Sequence, residues 1–405
     1  MRLRGIVVVG LAAIMALALP LAAEAKPKKK KAATVKVMTR NLFLGADLAP
    51  AINSGNIGEF LEANGAILNE VDETDFPRRA PALAAEIRKK KPDLVGLQEV
   101  ALWRTAPPCV QPALTGEPAA TDVEYDFLDL LLDQVNRGKK RYRVAVVQPE
   151  FDFEAPADKN GMPGDGPPAE PDLESCNPFG VISDAELNGR LTMRDVILVR
   201  KNRKRAKTKI KVKNPIAGHF ENLLVVRVAN AVDVPVTRGW TALDATVKKG
   251  KGKKQVKRKF RFFNTHFEAF DDETETPSIR QLQAQELAGI ATDPVYGYAE
   301  GNKPVILLGD LNSDDDTVVP DDQKAYRALL AAGFTERSTD DPLSCCVSDL
   351  FTSPPSEFDH QVDHVMTDQT PKRVRLVTSS VVGLAQVDGI YPSDHAGVVS
   401  KLKLK

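Results

Sequence analysis

Five polar segments each close an apolar run in this chain: Thr39-Arg40-Asn41, Gln98-Glu99, Asn264-Thr265-His266, Gly309-Asp310-Leu311-Asn312 and Ser393-Asp394-His395. Carboxylates and amide oxygens are the ligands that a hard divalent cation such as Mg²⁺ takes, together with water and substrate phosphate. Imidazoles exchange protons near neutral pH. The set therefore has the chemistry to neutralise a phosphate, hold a water and move a proton. Taken singly, each segment has a plainer account. Glu99 suits a solvated surface, His266 a satisfied structural histidine, and Asp310 with Asn312 a turn. Runs such as Val305-Ile306-Leu307-Leu308 lead straight into a carboxylate, and strand ends in open α/β sheets line the crevice where ligands bind.

Together and in this order, the segments resemble the endonuclease/exonuclease/phosphatase superfamily, which includes the DNase I-like nucleases and the bacterial sphingomyelinases. The resemblance spans about Thr34 to Lys405, and its most specific pieces are PDLVGLQEV, FFNTHFEA, VILLGDLNSD and YPSDHAGVV. It implies an α/β fold of four layers, with two packed mixed β-sheets flanked by helices. It also implies roles. Glu99 is the principal metal ligand, with Asn41 beside it and Asp394 sharing that ion or a second one. Mg²⁺ is the expected cofactor, with Mn²⁺ or Ca²⁺ as alternatives. Asp310 and Asn312 hold and polarise the attacking water. His395 transfers a proton or donates to the phosphate, and Asp363 matches the family aspartate that orients it. Asp195 stands where DNase I-like enzymes place an acidic partner for the middle histidine, here His266; a salt bridge to a neighbouring arginine is the alternative. Arg238 resembles a phosphate-contacting arginine, against a plain surface arginine, and Asn41 joins it in phosphate binding. His219, His360 and His364 are secondary, and His364 should point away from Asp363 on its strand.

Strand-like runs rich in Val, Ile and Phe are expected at Val35–Phe43, Leu94–Leu97, Tyr142–Val147, Val196–Val199 and Arg261–Thr265. Others fall at Val305–Leu308, Val362–Met366, Val374–Val382 and Ala396–Leu402. Helical periodicity marks Ala80–Lys90, Asp126–Asn136, Ser278–Ile290 and Gln323–Ala332. Residues 104–122 and 150–190 are rich in Pro, Gly and acidic side chains and read as long loops. Neither a repeat nor a second domain stands out.

The first 25 residues pair Arg2 and Arg4 with an apolar run and end in Ala23-Glu24-Ala25, the pattern of a secretory leader cleaved after Ala25. Residues 26–33 then form a basic disordered tail, and 34–405 the catalytic domain. Formal charge is zero over the whole chain, but it is clustered. Residues 200–213 and 248–261 each carry nine positive charges and no negative one. Such runs are either solvated faces or polyanion-binding surfaces. Four cysteines, Cys109, Cys176, Cys345 and Cys346, suit disulfides in an exported protein. Strain argues against joining the adjacent pair, so pairing at a distance is expected.

These features favour a secreted, metal-dependent phosphodiester hydrolase, acting as a monomer. Nucleic acid is the favoured substrate, because the lysine-rich segments flank the strand that carries Arg238. A sphingomyelinase or phospholipase C-type enzyme is the alternative. It would need an apolar hairpin for lipid, none is evident, and aromatic residues are only 6% of the chain. The remaining alternative is a non-catalytic polyanion-binding module on the same fold.

Overall fold

A computed structural model describes residues 32–405 apart from 168–170, 172–175, 203–205, 253–254, 271–276, 294–302, 315–322, 339–342 and 369–372. The expected leader, the tail up to Lys31 and parts of both lysine-rich runs lie outside the described residues.

In chain order the first strands are β1 (Ala33–Asn41), β2 (Leu94–Gln98), β3 (Leu102–Ala106), β4 (Asp122–Asp126), β5 (Tyr142–Ala157) and β6 (Leu187–Arg200). There follow β7 (Thr208–His219), β8 (Leu224–Val228), β9 (Val232–Val236), β10 (Gly239–Lys249) and β11 (Val256–His266). The last are β12 (Val305–Asp310), β13 (Thr335–Glu336), β14 (Asp363–Thr367), β15 (Val374–Val382) and β16 (Gly397–Leu404). The helices are α1 (Ala49–Ile52), α2 (Ile57–Glu73), α3 (Phe76–Lys90), α4 (Gln111–Thr115), α5 (Phe127–Asn136), α6 (Ile279–Thr292) and α7 (Lys324–Ala331).

One sheet has the order β15-β16-β1-β2-β6-β3-β4, with β5 also on β6; the other has β13-β14-β12-β11-β10-β7. Both are mixed, since β1–β2 and β11–β12 run parallel and their other neighbours antiparallel. Alternation along each strand gives the layers. Val35 and Val37 of β1 meet Phe260, Phe262, Ile306 and Leu308 of the second sheet in a shared core. On the opposite face Met38 packs with Phe60, Leu83, Phe127 and Leu131 from α2, α3 and α5. Leu287 of α6 and Leu329 of α7 cover the outside of the second sheet, against Phe263 and Leu307. The result is the expected four-layer α/β sandwich.

Several local expectations change. Strand β5 runs on to Ala157 and β6 starts at Leu187, so both ends of the expected loop 150–190 are paired β structure. Glu150-Phe151-Asp152-Phe153-Glu154 alternates with a period of two, which its acidic content disguises. In the expected loop 104–122, β3 continues to Ala106 and α4 adds a short helix. Helix α2, which the sequence reading did not mark, buries one stripe of Phe60, Leu61, Gly65, Ile67, Leu68 and Val71. Gly65 is required there: a Cβ would collide with the backbone carbonyl of Asp158 at the end of β5. Among the described residues, strands β8 and β9 pair only with each other, as a hairpin whose outer face exposes Val225. An apolar hairpin does therefore exist, hidden in sequence by Arg227 and Asp233. Among the described residues no helix is long and apolar enough to cross a membrane.

Of the two cysteine pairs, one follows expectation and one departs from it. Cys109 and Cys176 join the two Pro/Gly-rich segments, with Cα atoms 4.9 Å apart. Cys345 and Cys346, expected to pair at a distance, are joined to each other. The physical reason is that each proline-rich segment finds its partner in the other, clipped further by Val110 N–H donating to Cys176 O at 3.2 Å.

Candidate active site

Strand register brings the chemistry together before any side chain is considered. Across the second sheet Gly239 pairs with His266, His266 with Asp310, and Asp310 with Asp363. In the first sheet Asn41 pairs with Gln98, so Glu99 emerges next to Asn41. The two sheets are tied at this edge by Gln98, whose Nε2 donates to Asn264 Oδ1 at 2.5 Å with both residues buried. Glu99 and Asn312 both take left-handed backbone conformations, at φ 52° and 46°. Non-glycine residues do so at some cost, and such strain gathers where a side chain must be aimed out of regular structure.

Asn41 is the hub. Its Nδ2 donates to Glu99 Oε1 and to Asp310 Oδ2, both at 2.9 Å. Leu44 N–H donates to the other Glu99 oxygen at 2.8 Å, and Asn312 N–H to Asp310 Oδ1 at 2.9 Å. Nε2 of His266 and Nε2 of His395 each stand 3.6 Å from Asp310 Oδ2. His395 Nδ1 lies 3.0 Å from Asp363 Oδ2. Asn312 Nδ2 is 3.1 Å from His266 Nε2 and donates to Phe267 O at 3.0 Å. Asp394 and His395 share one cavity with Glu99, Arg238 and Asn312. His364 points away from this centre, to Glu336 at 2.8 Å.

Asp195 is not the partner of His266. Among the described residues neither of its buried carboxyl oxygens has a hydrogen bond, and burial raises its pKa well above the usual carboxylate range, against the pull of Arg238. His266 Nδ1 instead faces Arg238 Nη1 at 3.3 Å. The guanidinium's remaining nitrogens reach Glu268 at 3.4 Å, in a pair buried on both sides. Sequence reading passed over Glu268, although it stands two residues after His266 in FFNTHFEA. It also passed over two buried arginines that staple loops. Arg79 donates to Leu42 O, Phe43 O and Pro392 O at 2.7, 3.1 and 3.1 Å, tying the turn after β1 to the segment before Asp394. Arg280 donates to Glu268 O at 2.8 Å and to Asn312 O. Each falls on the buried stripe of its helix, Arg79 four residues before Leu83 and Arg280 seven before Leu287, which is the signal that could have found them.

Protonation follows from burial and charge. Burial, then Arg238, holds His266 down at about 3, so it is neutral. Burial opposes the charge on His395 as well, yet Asp310, Asp394 and Asp363 together raise it well above the usual imidazole value. Burial and the charge of Asp394 raise Glu99, and burial raises Asp394. Asp310 goes the other way: burial is outweighed by the two imidazoles and the bond from Asn41. Two half-buried carboxylates, Glu99 raised by the charge of Asp394, fit a hard divalent cation, whereas Asn41 turns its amide nitrogen to Glu99 and its oxygen to Phe43 N–H at 2.8 Å. Carboxylate oxygens of Glu99 and Asp310 and a nitrogen of His266 also lie within 4.8 Å of one another.

The profile of the endonuclease/exonuclease/phosphatase family matches residues 54–395, most of the chain. The chain belongs to that family. No curated protein matches it. Among solved structures it is similar to an endonuclease/exonuclease/phosphatase family protein from Bacteroides thetaiotaomicron, with TM-score 0.49, 15% identity, and 93% and 96% of the two chains covered. It is similar to the mannosyl-6-phosphatase Bt3783 of the same organism, with TM-score 0.46, 16% identity, and 91% and 99% covered. It is also similar to D. rerio TDP2 complexed with single-strand DNA product, with TM-score 0.46, 14% identity, and 91% and 98% covered.

Proposed function

We propose that this family member is a divalent-metal-dependent phosphodiester hydrolase, exported from the cell. The observation that carries this reading is the position of Asp310 Oδ2. It is fixed by Asn41 at 2.9 Å and flanked by the Nε2 atoms of His266 and His395 at 3.6 Å each. Glu99 and Asp394 would hold the cation, which supplies neutralisation of phosphate charge; Asn41, expected as a ligand, instead fixes Glu99 and Asp310 through its amide nitrogen. Asp310 stays ionised and accepts a proton from the attacking water, with Asn312 orienting it. His395, protonated and held by Asp363, donates to a phosphate oxygen or to the departing group. Neutral His266 completes the pocket with Arg238 behind it, whose charge adds to the attraction for phosphate. The two disulfides support export, since such bonds persist in oxidising compartments.

The lysine-rich strands do not support a nuclease at this centre. Lys248 pairs with Lys257 and Lys209, nine residues along β10 from the Gly239–His266 pair. At ~3.3 Å per residue that is roughly 30 Å from the catalytic end. The test is a Mg²⁺-dependent panel with duplex and single-stranded DNA, RNA, lipid phosphodiesters and simple phosphate esters. Hydrolysis of at least one diester, abolished by chelation, is expected; none with any metal would leave the polyanion-binding module as the better account.

A further inference from the structure

The catalytic groups occupy only one end of a larger cavity. Its volume is about 770 Å³, within the ~300–1,000 Å³ typical of small-molecule sites. Beyond the polar end the walls turn apolar: Phe60 and Leu68 of α2, Phe153 of β5, Leu191 of β6, and Val226 and Val234 of the β8–β9 hairpin. The hairpin belongs to neither large sheet, and its inward valines face this space. Phosphate chemistry alone has no use for such walls. Carboxylates of Asp47, Glu70, Glu73 and Asp349 also line the cavity. A polyanion approaching the centre through it would meet like charge.

We propose that the cavity receives an aliphatic group of the substrate, so that the enzyme hydrolyses amphiphilic phosphodiesters. This rests on the phosphodiesterase reading above and names its substrate class. Water delivers a hydroxyl to phosphorus, one ester P–O bond breaks, and the departing alcohol oxygen takes up the proton. The products are a phosphomonoester and an alcohol. The phosphate sits against Glu99, Asp394 and His395, and the chain extends between α2 and the hairpin. Gly65 contributes indirectly, because it lets α2 close against β5 as one wall.

The test is a series of alkyl 4-nitrophenyl phosphates, from methyl through butyl and octyl to dodecyl, held below micelle formation with Mg²⁺ present. Each methylene buried should raise kcat/KM by about fourfold until the cavity is full. Val226→Trp, which fills the cavity away from the catalytic groups, should remove at least about tenfold of the octyl ester's advantage. It should leave the methyl ester within about twofold. Binding of butyl and octyl phosphonate, measured by calorimetry, separates this proposal from the one it rests on. Affinity that grows with chain length, without turnover of any ester, would keep the cavity assignment and reject the hydrolase. Turnover that is flat along the series in the wild-type enzyme would reject the cavity assignment and keep the hydrolase. Duplex DNA hydrolysed with a higher kcat/KM than the dodecyl ester would also overturn it.

Discussion

His395 Nδ1 and Asp363 Oδ2 lie 3.0 Å apart with both side chains buried, while Nε2 of the same ring faces the reacting end of Asp310. One carboxylate therefore fixes the ring that another uses. The two aspartates are register partners on β14 and β12, so the sheet itself sets the spacing between them.

Asp363→Asn keeps the size of the side chain but removes its charge and permits the wrong imidazole tautomer. The expected loss in kcat is on the order of 10²–10³-fold. Because the two residues act as a unit, Asp363→Asn/His395→Ala should be little slower than His395→Ala alone. Fully additive losses in that cycle would show that Asp363 does not act through His395.

Glu99→Gln retains a side chain for Asn41 and Leu44 to meet but weakens the cation site. Hydrolysis at saturating Mg²⁺ should fall by more than about tenfold, as expected when several kcal/mol of metal stabilisation is lost. The unfolding midpoint without metal should fall little or rise, because the substitution removes a half-buried charge repelled by Asp394. Near-full activity would move the metal assignment elsewhere.

Buried His364 and half-buried Glu336 make a pair at 2.8 Å with opposite shifts. Burial opposes charge on both, yet the contact raises His364 from 6.5 and lowers Glu336 from 4.5. The histidine's contribution to stability is complete below 6.5 and is lost as pH rises through its folded value. The glutamate's is complete above 4.5 and is lost as pH falls through its own. The stability gap between wild type and His364→Gln should thus be widest between 4.5 and 6.5 and narrow towards alkaline pH. Denaturant unfolding across that range measures it, and a gap independent of pH would dismiss the ion pair.

Cys109 and Cys176 close a loop of 67 residues. Chain-entropy arguments give such a link about 4 kcal/mol of stabilisation. Cys109→Ser/Cys176→Ser should lower the unfolding free energy by up to that amount while sparing kcat, since neither residue reaches the catalytic groups. An unchanged denaturant midpoint would show that the loops hold without the link.

The sequence by itself was enough for the family, the four-layer fold and the residues at each strand end. Apolar runs of period two and the polar residues that follow them are local features, and local features survive in a one-dimensional string. Helix α3 with its Leu83 and Ile87 stripe, and strand β12 running into Asp310, were legible for that reason. What faces what was decided by tertiary structure. Asp195 and His266 look like partners along the chain, but register places Arg238 next to the ring and Glu268 behind it. The lysine-rich runs flank the strand after Arg238, yet β10 is long enough to carry them to the far end of the sheet. The apolar cavity needs α2, β5, β6 and a hairpin to converge from positions scattered between Phe60 and Val236. A cavity is an absence of atoms between distant segments, and no single segment carries its pattern.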